Sequence, residues 1–176
     1  NIIIIWTEIT SMISSQKESF LKAYKEGKNF IPIIKSWPAD LETPLSTWLK
    51  LSKKDSHGVF LESVEGGENL GRWSIVATNP LWEAVCNGEE TIKTWCNGRN
   101  ETFKGNPFDL LRTWTEEYKS YSLEDLPYIG QLYGSWGYEL INYLEPNVPI
   151  NRLKKKEIPY GSWMFFDQLV IFDQMK

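Results

Sequence analysis

A carboxylate and a hydroxyl, Glu62 and Ser63, close the apolar run Val59-Phe60-Leu61. A glycine-bearing segment follows, Val64-Glu65-Gly66-Gly67-Glu68, and then Gly71-Arg72-Trp73-Ser74-Ile75. The pattern reads as a buried strand, a turn and a second strand. With a period of two, Val59, Leu61 and Ser63 share one face, and Phe60 and Glu62 share the other. A carboxylate on an otherwise apolar strand is costly unless it is paired. Two arrangements satisfy it. In one, Glu62 and Ser63 finish the strand and reach water. In the other, they line a pocket for an amino acid, whose ammonium meets the carboxylate or the hydroxyl while apolar walls hold its side chain.

Other reactive chemistry is sparse. His57 is the single histidine, placed in the turn-like Ser56-His57-Gly58, and reads as a solvated loop residue. His57, Cys86 and Cys96 are three scattered ligands, too few for a zinc site of the common His/Cys type. If a hairpin turns at Asn87-Gly88, the two cysteines are offset along its arms beyond disulfide reach, which predicts reduced thiols and a cytosol-like compartment. No phosphate-binding GxxxxGK[ST] occurs, and Gly130, Gly134 and Gly137 lack the strand-to-helix context of a dinucleotide site. A net charge of −4 with no basic stripe argues against a nucleic-acid surface. Lys154-Lys155-Lys156 runs into Glu157 and reads as a solvated loop. Ile2 to Trp6 is too short to span a bilayer and is expected to be an edge strand. These readings give no catalytic residue, no metal site, no nucleic-acid partner and no membrane.

The chain of 176 residues is 41% apolar and 24% charged, enough for a domain with a real core. Nine tryptophans raise the aromatic share to 14%, and most of these rings read as packing. A helix is expected through Phe20, Leu21 and Tyr24 to a stop near Gly27. Thr43-Pro44 reads as an N-cap with proline in the first turn of a short helix. From Val59 onward the pattern turns antiparallel, with hairpins at Asn87-Gly88 and Asn97-Gly98 in which both residues would take positive φ. Asn106-Pro107 opens a helix with Asp109 in its first turn and Phe108, Leu111, Trp114 and Tyr118 as its apolar stripe. Tyr138 to Leu144 reads as a short helix, and Trp163 to Phe172 as one apolar strand with Asp167 and Gln168 in its middle.

Five segments in order carry a family likeness: D-L-E-T-P-L-S from Asp40 to Ser46, L-E-S-V-E-G-G-E from Leu61 to Glu68, G-R-W-S-I from Gly71 to Ile75, P-F-D-L-L-R from Pro107 to Arg112, and G-Q-L-Y-G-S-W-G-Y-E-L from Gly130 to Leu140. Together they resemble the N-terminal domain of anthranilate synthase component I. The likeness runs from about Phe30 to Phe172, and the first thirty residues carry little of it. It implies an α+β fold, an antiparallel β-sheet with flanking helices. Residues 1–29 would form an N-terminal strand and helix, and residues 30–176 the family domain, a single domain cut before the catalytic half.

The resemblance also implies a function. The family's large subunit adds ammonia to chorismate with Mg2+ and eliminates pyruvate, a lyase reaction that opens tryptophan synthesis in the cytoplasm. Leu61, Glu62 and Ser63 would then contact tryptophan as feedback inhibitor, and Arg72 could face its carboxylate. The chorismate site, the catalytic residues and the magnesium ligands would come from the C-terminal chorismate-binding half, leaving this segment without cofactor and inactive alone. The implied partners are that half and a glutamine amidotransferase subunit. Aminodeoxychorismate synthase component I, of the folate pathway, shares this N-terminal architecture, although L-E-S-V-E favours anthranilate synthase. A standalone amino-acid-binding module is a further alternative. Severing a shared core should expose an apolar face, expected at Trp163 to Phe172 and Gly130 to Tyr138.

Overall fold

The computed structural model describes residues 2–6, 14–53, 57–62, 72–121, 132–148 and 158–174. In chain order they form β1 (Ile2–Trp6), α1 (Ser14–Lys25), β2 (Ile33–Trp37), α2 (Pro44–Leu51), β3 (Gly58–Glu62), β4 (Trp73–Thr78), β5 (Trp82–Cys86), β6 (Thr91–Trp95), β7 (Asn100–Phe103), α3 (Pro107–Glu116), β8 (Leu132–Trp136), a 3-10 helix (Tyr138–Tyr143), β9 (Gly161–Phe165) and β10 (Leu169–Asp173). The architecture is α+β, as expected, with antiparallel strand pairing throughout the two sheets. The chain divides into two compact units, one drawn from residues 1–80, 118–130 and 166–176, the other from 81–117 and 131–165.

The first unit is built on a five-stranded sheet in the order β2-β1-β10-β4-β3. Register aligns Phe60 with Val76 and Val76 with Val170, so one face carries a continuous apolar row. Val76, Val170 and Phe172 form a core against which Trp37, Ala39, Trp48 and Phe60 pack. Trp48 comes from α2 and stacks on Phe60 at 6.1 Å. The start of α2 is fixed locally. Thr43 accepts from Ser46 N at 3.0 Å while Ser46 accepts from Thr43 N at 2.9 Å, a reciprocal cap, and Pro44 needs no partner for a missing N–H. Lys50 and Ser46 both donate to Glu42, and these contacts hold the Glu42 carboxyl below its usual range. At the β2 edge, the Gln16 amide donates to Ile34 O and accepts from Ile34 N, taking the place of a strand partner.

The second unit has its own sheet, β7-β6-β5-β9-β8. Alternation places Trp82, Ala84, Lys93, Trp163 and Phe165 on one face, all buried. α3 covers that face through Leu111 and Trp114. Asn106 caps the helix by accepting from Phe108 N at 3.0 Å. The core is aromatic: Trp82 stacks on Phe165 at 5.2 Å and meets Trp114 edge-on at 5.6 Å, and Phe103 meets Trp114 at 5.0 Å.

Several expectations need correction. The hairpins turn where Asn87-Gly88 and Asn97-Gly98 stand, yet only the glycines have positive φ, +92° and +83°. Each loop holds four residues, and the asparagine side chain builds it: Asn87 Oδ1 accepts from Glu89 N and Glu90 N, and Asn97 Oδ1 from Arg99 N. β1 is an interior strand, flanked by β2 and β10. Trp163 to Phe172 is two strands in two sheets, broken near Asp167 and Gln168, and its apolar residues are core rather than an open face. Trp136 and Tyr138, by contrast, are exposed as expected of their segment. The α3 stripe ends at Trp114, since the helix stops at Glu116 and Tyr118 instead packs edge-on against Phe30. Cys86 is buried and Cys96 exposed, both free thiols.

Gly58 lets α2 approach the sheet. A Cβ there would lie 2.5 Å from Ala77 O and 2.9 Å from the Trp48 ring. Gly58→Ala should therefore cost about 1–3 kcal/mol, the usual range for overpacking. A urea melt in which the variant matches the parent would contradict this packing.

Candidate ligand site at one end of the first sheet

The chain leaves the first sheet at Glu62 and re-enters it at Arg72. Antiparallel pairing sets Glu62 opposite Ser74 and Leu61 opposite Ile75, so Leu61, Glu62 and Arg72 gather at one end of the sheet. β3 is an edge strand. Burial fades along it: Val59 is buried, Phe60 is half-covered beneath Trp48, and Leu61 and Glu62 are exposed. Leu61 and Glu62 sit on opposite faces, as the period of two requires. The desolvation cost feared for Glu62 does not arise, because its side chain meets solvent. Ser63 lies outside the described residues.

Arg72 is anchored. Its Nε donates to Asp173 Oδ1 at 2.8 Å and a terminal nitrogen donates to Asp173 Oδ2 at 2.7 Å, a bidentate fork. The guanidinium also lies 4.3 Å over the Trp73 ring. The Asp173 side chain is only 3% exposed, so the fork is a buried one on the carboxylate side. Beside the pair, Gln174 N donates to Arg72 O at 2.9 Å and the Gln174 amide donates to Ser74 Oγ at 2.8 Å. These contacts clamp the start of β4 to the end of β10. Sequence reading singled out Arg72 for a ligand and missed Asp173, 101 positions away. The only local trace of it is an acid closing the apolar run Leu169 to Phe172.

The corner offers a carboxylate at Glu62, an apolar side chain at Leu61 and a positive charge at Arg72. It contains no nucleophile–base pair. Among the described residues no group of three or more His, Cys, Asp or Glu could hold a metal ion. His57 stands exposed just before β3. Among the same residues no helix is long and apolar enough to cross a membrane.

No family model matches the chain. Curated proteins do. The chain is 45% identical over 166 residues to anthranilate synthase component 1 of Synechocystis, an alignment that covers 94% of this chain and 32% of that protein. The chain is a homologue of the N-terminal part of anthranilate synthase component 1. The component 1 proteins of Acetivibrio thermocellus and Acinetobacter calcoaceticus are 33% and 34% identical over 89% and 85% of the chain. The chain spans about a third of the length of these relatives. Against component 1, the segments that carried the resemblance have separate structural roles. Asp40 to Ser46 caps α2, Pro107 to Arg112 begins α3, and Arg72 to Ile75 forms the clamped start of β4.

Breaking a buried ion pair by removing one partner costs about 3–5 kcal/mol. Arg72→Ala should lose stability on that scale, and Arg72→Met with Asp173→Leu should regain most of it. Equal melting of Arg72→Ala and the parent would show that Asp173 does not depend on Arg72.

Proposed function

We propose that this chain is the tryptophan-sensing region of an anthranilate synthase large subunit. The observation that carries the reading is 45% identity to component 1 across 94% of the chain. The corner at the end of β3 and the start of β4 supports it, because Leu61, Glu62 and Arg72 lie at that one end of the sheet and the chain between Glu62 and Arg72 contains Ser63. In this reading the tryptophan ammonium meets Glu62 or the Ser63 hydroxyl. Leu61 contributes apolar wall. Arg72, oriented by Asp173, supplies positive potential toward the ligand carboxylate.

The whole enzyme would convert chorismate and ammonia to anthranilate and pyruvate, with ammonia delivered by a glutamine amidotransferase subunit in the cytoplasm. That chemistry, and the Mg2+ it uses, is assigned to the two thirds of such an enzyme beyond the length matched here. This segment's part is to bind the end product and oppose turnover.

Two measurements test the proposal. In a full-length enzyme carrying this region, Ser63→Ala should raise the tryptophan concentration needed for inhibition about ten- to hundredfold. That is the affinity carried by one hydrogen bond to a charged group, about 1.5–3 kcal/mol. Catalysis without tryptophan should be preserved. Coincident inhibition curves would remove Ser63 from the site. Residues 1–176 alone, given chorismate, ammonia and Mg2+, should yield no anthranilate fluorescence, and a signal from pure protein would place the active site within this chain.

A further inference from the structure

Lys93 is a lysine in the core of the second unit, 4% exposed. Its ammonium lies 4.4 Å from the centre of the Trp82 ring, 4.5 Å from Trp114 and 4.7 Å from Trp95. The three rings come from three elements: Trp82 from β5, Trp114 from α3 and Trp95 from Lys93's own strand, β6. Cation–π attraction favours an ammonium over each ring face, and more so when the site is desolvated. The cage therefore offsets part of the cost of burying a charge. The charged groups around it are few. β7 places Glu101 opposite Lys93, Glu117 follows the end of α3, and Arg99 precedes β7, where it pairs with Glu101 at 3.4 Å and lies 3.9 Å over Trp95. β5 offers only Trp82, Ala84 and Cys86 on this face.

We propose that Lys93 and its three indoles form a proton-responsive joint that ties α3 to the second sheet. With the proton on, the three ring faces offset only part of the cost of holding a charge in the core. With the proton off, that cost is gone and the joint is apolar packing between α3 and the sheet. Burial pushes the Lys93 ammonium below the ordinary lysine range; Glu117 and Glu101 draw it back up, and Arg99 adds to the fall. Since the unfolded lysine titrates near ~10.4, the unfolded chain holds more protons between the two values, and stability should rise with pH across that window. Tyr133, pushed by burial up to about 12, stays protonated there.

The test is a titration of the 176-residue chain from pH 7 to 10.5, with lysine side chains isotopically labelled and tryptophan emission recorded in parallel. One lysine, showing magnetisation transfer to indole protons, should lose its proton at lower pH than the rest. Tryptophan emission should shift with the same midpoint. Lys93→Met should remove that resonance, and both Lys93→Met and Lys93→Arg should abolish the emission step. The proposal is overturned if the indole-contacting lysine titrates with the others, or if the emission step survives both substitutions. Should neither variant fold, the midpoint of the indole-contacting lysine in the parent chain decides.

Discussion

A carboxylate buried to 3% exposure is tolerated in a sheet only where a cation meets it, and in the first unit Arg72 meets Asp173. The pair ties the first residue before β4 to the last residue of β10. It thereby fixes where the chain re-enters the sheet after Glu62. A slip of one residue would move every side chain of β4 to the opposite face, carrying Val76 out of the core and Ser74 away from Gln174. Such a pair gains little over an apolar isostere but is expensive to break, so it selects a register more than it adds stability. The positions of Leu61 and Glu62 follow from that register through β3, whose pairing with β4 sets Glu62 opposite Ser74.

The second unit meets a similar demand by other means. Lys93 is also buried, but the groups pressed against its ammonium are the faces of Trp82, Trp95 and Trp114. An aromatic share of 14% is therefore more than bulk filling. Some of these rings form the apolar core, as in the stack of Trp82 on Phe165, and some also solvate a cation. Among the described residues, one fork of hydrogen bonds and one cage of π faces thus account for the buried charges Asp173 and Lys93.

Local signals in the sequence reached the elements whose causes are local. The caps at Thr43 and Asn106 lie within three residues of the groups they satisfy, and both helices start where those residues stand. The hairpins were legible in position but not in chemistry, because an Asn-Gly pair fits both a two-residue turn and a loop built on the asparagine side chain. The break between Phe165 and Leu169 was masked by continuous apolar residues, since Asp167-Gln168 is a weak interruption and periodicity does not say to which sheet a strand belongs. Asp173 and the Lys93 cage were invisible for a deeper reason. Their partners are set by long-range register, and a lysine in the strand Thr91-Ile92-Lys93-Thr94-Trp95 looks like any solvent-facing residue. At the candidate site, Leu61 and Glu62 were placed correctly at a strand end, Arg72 acquired a partner that sequence did not announce, and Ser63 lies outside the described residues.

If the corner between β3 and β4 is where tryptophan binds, the ligand reaches a segment whose two ends are held differently. The β4 end is clamped by Asp173 and Gln174, while the β3 end is an exposed sheet edge. Ligand binding would then order the edge against a fixed wall. Hydrogen exchange on a full-length anthranilate synthase containing this chain tests that most directly. The account predicts that tryptophan slows exchange at residues 60–63 and 72–74 while amides of β5, β6 and β7 are unchanged. Inhibition by tryptophan with no added protection at residues 60–63 and 72–74 would contradict it.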